Sequence, residues 1–225
     1  MESRYFPLPN QQNYEYGHKL AYKLAGAQLT KLDNIEEQCL KSGARYQVTD
    51  SQKTITLEYL NQSYQITLPD IDVLLTGSEE RVPIREKILI LHYFTRAKGT
   101  PLTNRAIAYK ELPEGITYFP TFYKRAIKPL LDHFGQDPEP LTNAAQRLGG
   151  NRADYGDVAV TINAFKYVPI TLVLWRGDKE FAPEGNILFD STIPDYLATE
   201  DINVLCETIS WKLVRYLREI QGHTR

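Results

Sequence analysis

The sequence predicts an α+β protein in which a mostly antiparallel sheet packs with several helices. Three observations lead to this class. Apolar and polar residues alternate along 53–68 in two successive runs, which is typical of antiparallel strands with one face toward water. Residues 168–175 form a nearly continuous apolar run, which predicts a strand covered on both faces. Apolar residues recur at helical spacing along 199–221, which predicts a long amphipathic helix.

The remaining elements follow from the same periodicities. One or two helices are expected over 14–39, with Ser42-Gly43 as a stop, and a three-stranded meander over 45–68, with turns at Asp50-Ser51 and Asn61-Gln62 and an end at Pro69. The first dozen residues are expected to be an extended arm. The C-terminal part adds helices at 81–98, 120–134 and 139–148, and strands at 106–112, 157–164 and 186–190. Pro129 is expected to kink or divide the helix at 120–134.

Chain length and composition favour a single domain. The 225 residues are 42% hydrophobic and 24% charged, as in an ordinary globular protein. Only 69–80 could be a boundary, between an N-terminal helix and meander (1–80) and the remainder (81–225), and we expect the strands on both sides to join one sheet. The net charge of −2 lacks the basic footprint of a general nucleic-acid binder.

Cysteine and methionine usage restricts the cofactors that we expect. Cys39 and Cys206 lie far apart in helical segments, without a CxxC or Cys/His cluster, which favours buried thiols over iron–sulfur or zinc sites. The single methionine is the initiator, so no thioether ligand is expected. No signal-like or membrane-spanning apolar segment is visible. These features predict a cytoplasmic protein without a membrane partner.

Short signatures of enzymes are missing from the chain. It contains no GxGxxG after a strand, no GxxxxGK[ST], no HExxH and no GxSxG. The usual dinucleotide, P-loop, zinc-protease and serine-hydrolase interpretations are therefore not supported, whereas catalysis without a short motif stays open.

His92 is the histidine with the clearest alternative to a packing role. It follows Ile88 by four residues and so projects near the apolar stripe of the helix at 81–98. It could be a satisfied histidine at the edge of the core, or an axial ligand of a transition metal or a tetrapyrrole iron or cobalt. His133 falls at a helix end, where a cation suits the helix dipole. His18 and His223 lie toward the chain termini and suggest no site.

An aromatic and basic segment at 118–125 is the second candidate. Its flat apolar side chains could stack on a planar anionic ligand, and arginines could bind the carboxylates of that ligand. The alternative is a helix start that packs its aromatic residues into the core. Under the ligand hypothesis, the walls of the site are the aromatic side chains of Tyr118, Phe122, Tyr123 and Trp175. The groups that bind the ligand carboxylates are Arg125 and Arg176.

Carboxylates at turns and strand ends are the third candidate. Asp157 and Asp178 each follow a glycine, and Asp190 ends a predicted strand. Together they could hold a divalent metal or work as acid and base. The alternative is that aspartate simply favours turns and helix starts.

Ordered short motifs in the C-terminal half resemble those of an uncharacterised family. They include Pro101-Leu102-Thr103, Lys110-Glu111-Leu112-Pro113, Leu148-Gly149-Gly150, Gly156-Asp157, residues 174–181, Ile187-Leu188-Phe189-Asp190 and residues 196–201. Over roughly residues 84–205 the chain resembles the domain-of-unknown-function family numbered 3786. The resemblance implies a protein of strict anaerobes. Some relatives carry an additional iron–sulfur segment like that of corrinoid proteins, whose cysteines this chain lacks.

The sequence thus leads us to expect a ligand-binding accessory protein of anaerobic cofactor metabolism. Its ligand would be a corrinoid, a haem or another planar anionic molecule, and a protein of corrinoid metabolism could be its partner. Two alternatives stay open. One is a carboxylate-based, metal-assisted enzyme, and the other is a protein–protein adaptor with a large exposed apolar patch.

Overall fold

The computed structural model describes residues 11–49 and 52–222. Seven α-helices are assigned in these ranges: α1 (Gln11–Leu29), α2 (Ile35–Ser42), α3 (Ile84–Arg96), α4 (Gly115–Phe122), α5 (Lys128–Phe134), α6 (Pro140–Gln146) and α7 (Thr199–Gly222). The predicted turn at Asp50-Ser51, His223 and residues 1–10 of the predicted arm lie outside the described residues, and the rest of that arm belongs to α1.

Nine strands accompany these helices in the same ranges. They are β1 (Arg45–Val48), β2 (Lys53–Tyr59), β3 (Gln62–Leu68), β4 (Asp72–Leu75), β5 (Ala106–Ala108), β6 (Asn151–Ala153), β7 (Val158–Phe165), β8 (Val168–Trp175) and β9 (Glu184–Asp190). All pairs are antiparallel, so the predicted α+β class is confirmed.

The strands form two sheets, and the expectation of a single sheet was wrong. The first sheet has the order β1-β2-β3-β4 and the second the order β5-β9-β8-β7-β6. The sheets touch where the β2–β3 turn meets the β7–β8 hairpin, and there the Leu60 amide donates a 2.9 Å hydrogen bond to the Ala164 carbonyl. A common core of buried side chains nevertheless runs through both sheets, so the chain is one domain.

The first sheet has one buried and one wet face, as the alternation predicted. Ile55, Leu57 and Tyr59 of β2 are buried together with Tyr64 and Ile66 of β3. The meander has a fourth strand, β4, that the sequence analysis missed. Its four residues are too few to show a period-two pattern above the noise of the turns beside it.

The helical run between α4 and α5 is continuous but irregular. It begins at Gly115, earlier than the predicted residue 120, and passes through a π-helical turn at Tyr123–Ile127. Pro129 lies in the first turn of α5 and cannot donate a backbone hydrogen bond, so a regular α pattern cannot continue through this part. The predicted irregularity at Pro129 is therefore confirmed.

Helix α7 buries one face in the hydrophobic core of the molecule. Its buried stripe includes Ile202, Leu205, Cys206, Ile209 and Leu213, which is the stripe expected from the sequence. Glu200 and Asp201 lie in its first turn, where negative charge suits the helix dipole. Within the described part of the chain, no helix combines the length and the apolar character that crossing a membrane requires.

Candidate functional site

A cleft of about 610 Å³ opens along the line where the two sheets meet. We call it the seam cleft. Its lining comes from the end of α2, the first sheet, the loop after α6 and the β7–β8 hairpin: Cys39, Leu40, Ser42, Gly43, Ala44, Arg45, Thr56, Leu57, Glu58, Asn61, Ser63, Leu148, Gly149, Asn163, Phe165 and Lys166. Pockets of 300–1,000 Å³ are typical of small-molecule sites.

Two irregular backbone features meet at this cleft. Leu60 and Asn61 form the β2–β3 turn with φ values of 48° and 63°. A two-residue hairpin turn requires positive φ at both positions, although leucine is an unusual residue there. Opposite this turn, the β7–β8 register shifts between Asn163 and Phe165. The turn and the bulge thereby bring two carboxamides, those of Asn61 and Asn163, to the same cleft.

Basic side chains give the cleft its electrostatic character. Arg45 and Lys166 are exposed residues of its lining, and Glu58 supplies the one carboxylate among the described residues that line it. Within residues 11–49 and 52–222, neither cation forms an ion pair with a carboxylate. Unneutralised cations beside amide donors are the groups that bind carboxylates and phosphates.

Two glycines shape the wall of the cleft. Gly43 ends α2 with φ of 72°, and a Cβ there would come within 2.2 Å of Lys166 Cδ. Gly149 has φ of 70°, and a Cβ there would lie 3.0 Å from the Asn61 side chain. Both positions thus combine a left-handed backbone with close approach of a polar side chain of the cleft. Glycine at these two sites leaves room for Lys166 and Asn61.

Cys39 lies in the cleft lining as a protonated thiol. It is buried, and this burial, with a further contribution from the nearby Glu36 carboxylate, raises the pKa of its thiol to about 11. Cys206 lies deeper, in the buried stripe of α7, and burial raises its pKa further. Both cysteines are free, as the sequence analysis expected. A thiol with such a raised pKa is uncharged at pH 7, so Cys39 lines the cleft without being an activated nucleophile.

The predicted aromatic walls do not form one surface. Phe122 is fully buried and stacks on Tyr109 with ring centroids 3.8 Å apart, so it offers no face to a ligand. Tyr118 and Tyr123 are exposed on the outside of the same helical run, and Arg125 is exposed beside them. The segment therefore divides its aromatic residues between core and surface, because one helix face cannot bury them all.

Trp175 and Arg176 lie at the opposite end of this helical run. The Gly177 amide beside them donates to the carbonyl of Gly135, directly after α5. From Gly115 to Gly135 the run spans roughly 25–30 Å at 1.5 Å per residue. Trp175 and Arg176 consequently cannot enclose the same small ligand as Tyr118, which is near the start of the run.

His92 is held by a carboxylate. Its Nδ1 lies 2.8 Å from Oδ1 of Asp201, in the first turn of α7. Its side chain is about one quarter exposed, at 27%. A carboxylate on one ring nitrogen fixes the orientation of the imidazole, an arrangement common to metal-ligating histidines. The same contact also accounts for a purely structural histidine.

The three predicted carboxylates have separate structural roles. Asp157 accepts the Arg176 amide at 2.8 Å, and Asp178 accepts two amides of its own turn. Asp190 is buried at the other end of β9, six residues from Glu184, which pairs with Trp175. At about 3.3 Å per residue this separates Asp190 from the other two by roughly 20 Å. They do not converge on one ligand.

Asp190 binds the loop before β5 to the end of β9. Its carboxylate accepts hydrogen bonds from the amides and hydroxyls of Thr103 and Thr192 and from the Asn104 amide. Burial alone would raise the pKa of this carboxyl group, but the hydrogen bonds from Thr192 and Thr103 outweigh it and lower the pKa below its ordinary value. In the part of the chain that is described, no three His, Cys, Asp or Glu residues gather as metal ligands.

Sequence reasoning missed the seam cleft because its residues are not adjacent in the sequence. Arg45, Asn61, Gly149 and Asn163 come from four separate segments and form no local motif. The available signals were indirect, namely glycines or asparagines at positions where turns were expected. Such residues indicate turns far more often than ligand sites.

Comparison with known proteins identifies the family but no activity. No curated protein and no solved structure matches the chain. The model of one family, described as a domain of unknown function (DUF3786), matches residues 34–211, which covers both sheets and every residue of the seam cleft. The chain therefore belongs to the family of this domain of unknown function.

Proposed function

We propose that the protein binds a small anionic molecule in the seam cleft. The observation that carries the proposal is the combination of two cations, Arg45 and Lys166, which form no ion pair within the described residues, with the amides of Asn61 and Asn163 around a cleft of about 610 Å³. The bulge between β7 and β8 adds support, because bulges are over-represented beside functional sites. Because the Glu58 carboxylate also lines the cleft, the ligand could in addition carry a hydrogen-bond donor or a positive group, which Glu58 would bind.

The apolar part of the lining supports a binding function for the cleft. Leu40 of the lining is 79% exposed and offers apolar surface beside the polar rim, whereas Leu57, Leu148 and Phe165 are buried and form the packed wall behind it. A ligand would rest against Leu40 while its anionic group reaches the cations. The setting that we propose is anaerobic cofactor metabolism, on the strength of the resemblance described above. The cleft and that setting together suggest an accessory protein that carries or presents its ligand.

The test is ligand capture by the full chain. The protein is incubated with an anion-exchange fraction of small molecules from its host, and bound molecules are detected by native mass spectrometry. We expect a bound anion, with at least tenfold weaker binding after the paired change Arg45→Ala and Lys166→Ala. Lys31→Ala removes an exposed cation outside the cleft and should leave binding unchanged. Binding that is equal in all three proteins, or no binding at all, would contradict the proposal.

A tetrapyrrole on His92 is the second candidate function. The contact between His92 Nδ1 and Asp201 favours it, because this contact would leave Nε2 to ligate the iron or cobalt of a haem or corrinoid. The imidazole of His92 suits the iron or cobalt of such a ligand. The aromatic residues predicted as walls do not form a pocket for the tetrapyrrole, because Phe122 is buried and Trp175 lies beyond the far end of the helical run.

An absorption titration tests this candidate separately from the first. Haem or cobalamin is added to micromolar protein, and the Soret or corrin bands are followed. We expect band shifts that His92→Ala abolishes and that Asp201→Asn weakens, while Arg45→Ala has no effect. Unshifted bands with the wild-type protein would exclude the tetrapyrrole ligand and leave the anion proposal standing.

A further inference from the structure

Exposed aromatic side chains gather at one end of the second sheet, away from the seam cleft. Tyr155 is 49% exposed, Trp175 is 41% exposed and Phe181 is 70% exposed. Tyr155 lies on the loop before β7, Trp175 ends β8 and Phe181 lies on the β8–β9 connection. Trp175 packs against Gly156, next to Tyr155. Together with exposed Arg176 we call this surface the aromatic end. Tryptophan, tyrosine and arginine are the residues that contribute most to protein–protein binding.

The loops of the aromatic end are ordered by their own hydrogen bonds. Asp157 accepts the Arg176 amide at 2.8 Å. Asp178 accepts the amides of Glu180 and Phe181 at 2.8 and 2.7 Å, and its own amide donates to the Phe181 carbonyl. Loops whose backbone is already ordered lose less conformational entropy when a partner binds.

Negative charge surrounds the aromatic end. Carboxylates outnumber cations among the exposed charged side chains of these loops, of the strand ends beside them and of the α5–α6 connection. The carboxylates are Asp137, Glu139, Asp154, Asp157, Asp178, Glu180 and Glu184, and the cations are Arg152, Arg176 and Lys179. Two of the cations already have partners, since Arg176 pairs with Asp137 and Arg152 with Glu139. Such a rim repels nucleic acids and anionic lipids and attracts basic surfaces.

We infer that the aromatic end is a docking surface for a basic segment of a partner protein. A lysine or arginine of that segment would lie over the exposed indole of Trp175, where a cation–π contact is favourable, and its neighbours would face the carboxylate rim. Apolar side chains of the same segment would cover Tyr155 and Phe181. This docking function is independent of the ligand that we propose for the seam cleft.

The two tryptophans of the chain provide a test with an internal control. Trp175 belongs to the aromatic end, whereas Trp211 is similarly exposed on α7 beside Lys212 and Arg215. The indole N–H signals are followed by NMR while a twelve-residue peptide of alternating arginine and leucine is added to the full chain. Trp211→Phe assigns the two signals. We expect a saturable shift of the Trp175 signal alone, weaker at high salt, and none with a peptide of alternating glutamate and leucine.

Variants distinguish a docking surface from general attraction of charges. Phe181→Ala and Glu180→Lys should each weaken the apparent affinity at least threefold. Asp33→Lys makes the same charge change as Glu180→Lys on an exposed residue between α1 and α2 and should leave the affinity unchanged. The inference is overturned if both indole signals move together, if neither moves, or if Asp33→Lys has the effect of Glu180→Lys. It is also overturned if these residues instead mediate self-association, seen as a Trp175 shift that depends on protein concentration without peptide.

Discussion

The hydroxyl of Ser210 donates a 2.7 Å hydrogen bond to the backbone carbonyl of Ala126, and both residues are fully buried. Ala126 lies in the π-helical turn Tyr123–Ile127, so α7 supplies a hydrogen bond at a place where the helical pattern is irregular. Ser210→Ala should lower the free energy of unfolding by about 1–2 kcal/mol, because a buried carbonyl loses its partner. Urea denaturation at pH 7 measures this change.

Thr208 provides the control for the Ser210 prediction. Its hydroxyl donates to Val204 within the same helix, at a partly exposed position. Thr208→Ala should change the stability by no more than about 0.5 kcal/mol. Equal effects of the two substitutions would show that the contact with the π-helical turn does not stabilise the fold.

Asp190→Asn should destabilise the protein in a pH-dependent way. The hydrogen bonds that lower the pKa of Asp190 contribute stability that is fully present above its unfolded pKa of about 3.9 and is lost as the pH falls through the lower folded value. We expect a loss of about 2–3 kcal/mol at pH 7, because the amide cannot accept the same set of bonds. The difference from the wild type should shrink below pH 4.

A carboxylate on the surface is the matched control for Asp190. Asp132 is exposed and pairs with Lys128 one helical turn away. Asp132→Asn should cost less than about 0.5 kcal/mol at pH 7. If the effect of Asp190→Asn stayed constant from pH 7 to pH 3, the carboxylate charge would not be the source of its stabilisation.

Gly43→Ala should weaken anion binding more than its effect on stability suggests. A left-handed alanine costs about 1 kcal/mol, and the new Cβ would also displace Lys166 from the edge of the cleft. Gly77→Ala creates the same backbone strain at φ of 71° with no heavy atom within 4 Å. We expect similar denaturation midpoints for the two variants but weaker ligand binding, by at least threefold, only for Gly43→Ala.

Cys39 should react slowly with alkylating reagents. With a pKa of about 11, only a small fraction of this thiol is ionised at pH 8. We expect iodoacetamide to modify it at least tenfold more slowly than a free cysteine, after allowing for the greater nucleophilicity of a more basic thiolate. Peptide mapping follows Cys39 and the deeper Cys206 in one sample. Modification of Cys39 as fast as a free thiol, or after Cys206, would contradict this picture.

Local patterns predicted most of the individual elements. The period-two alternation of β2 and β3, the apolar run of β8 and the helical stripe of α7 each have a direct structural counterpart, because burial of one face imposes the period. The short strands β4 and β6 were missed, since three or four residues cannot establish a period. The division into two sheets depends on pairing partners far apart in the chain, which local patterns do not encode.

The candidate sites were less accessible to sequence reasoning than the fold. The sequence left open whether the aromatic residues at 118–125 face a ligand or the core, and the structure divides them, with Tyr118 and Tyr123 on the surface. Which aromatic residues are buried depends on neighbours such as Tyr109, which only the tertiary structure brings to Phe122. The sequence pattern of glycine followed by aspartate occurs in two loops of the aromatic end. It reflects turn geometry there, because Asp157 and Asp178 accept backbone amide hydrogen bonds in these loops.

The backbone amide of Leu60 lies where the two sheets contact each other, so its hydrogen exchange depends on that contact. The two-residue turn between β2 and β3 places Leu60 at φ of 48°, and the amide of this buried leucine donates a hydrogen bond to Ala164 of the second sheet. Any event that separates the sheets would break this hydrogen bond and leave the Leu60 amide accessible to water. Amide hydrogen exchange at Leu60 would therefore report the opening and closing of the protein along this line, before any global unfolding is detected.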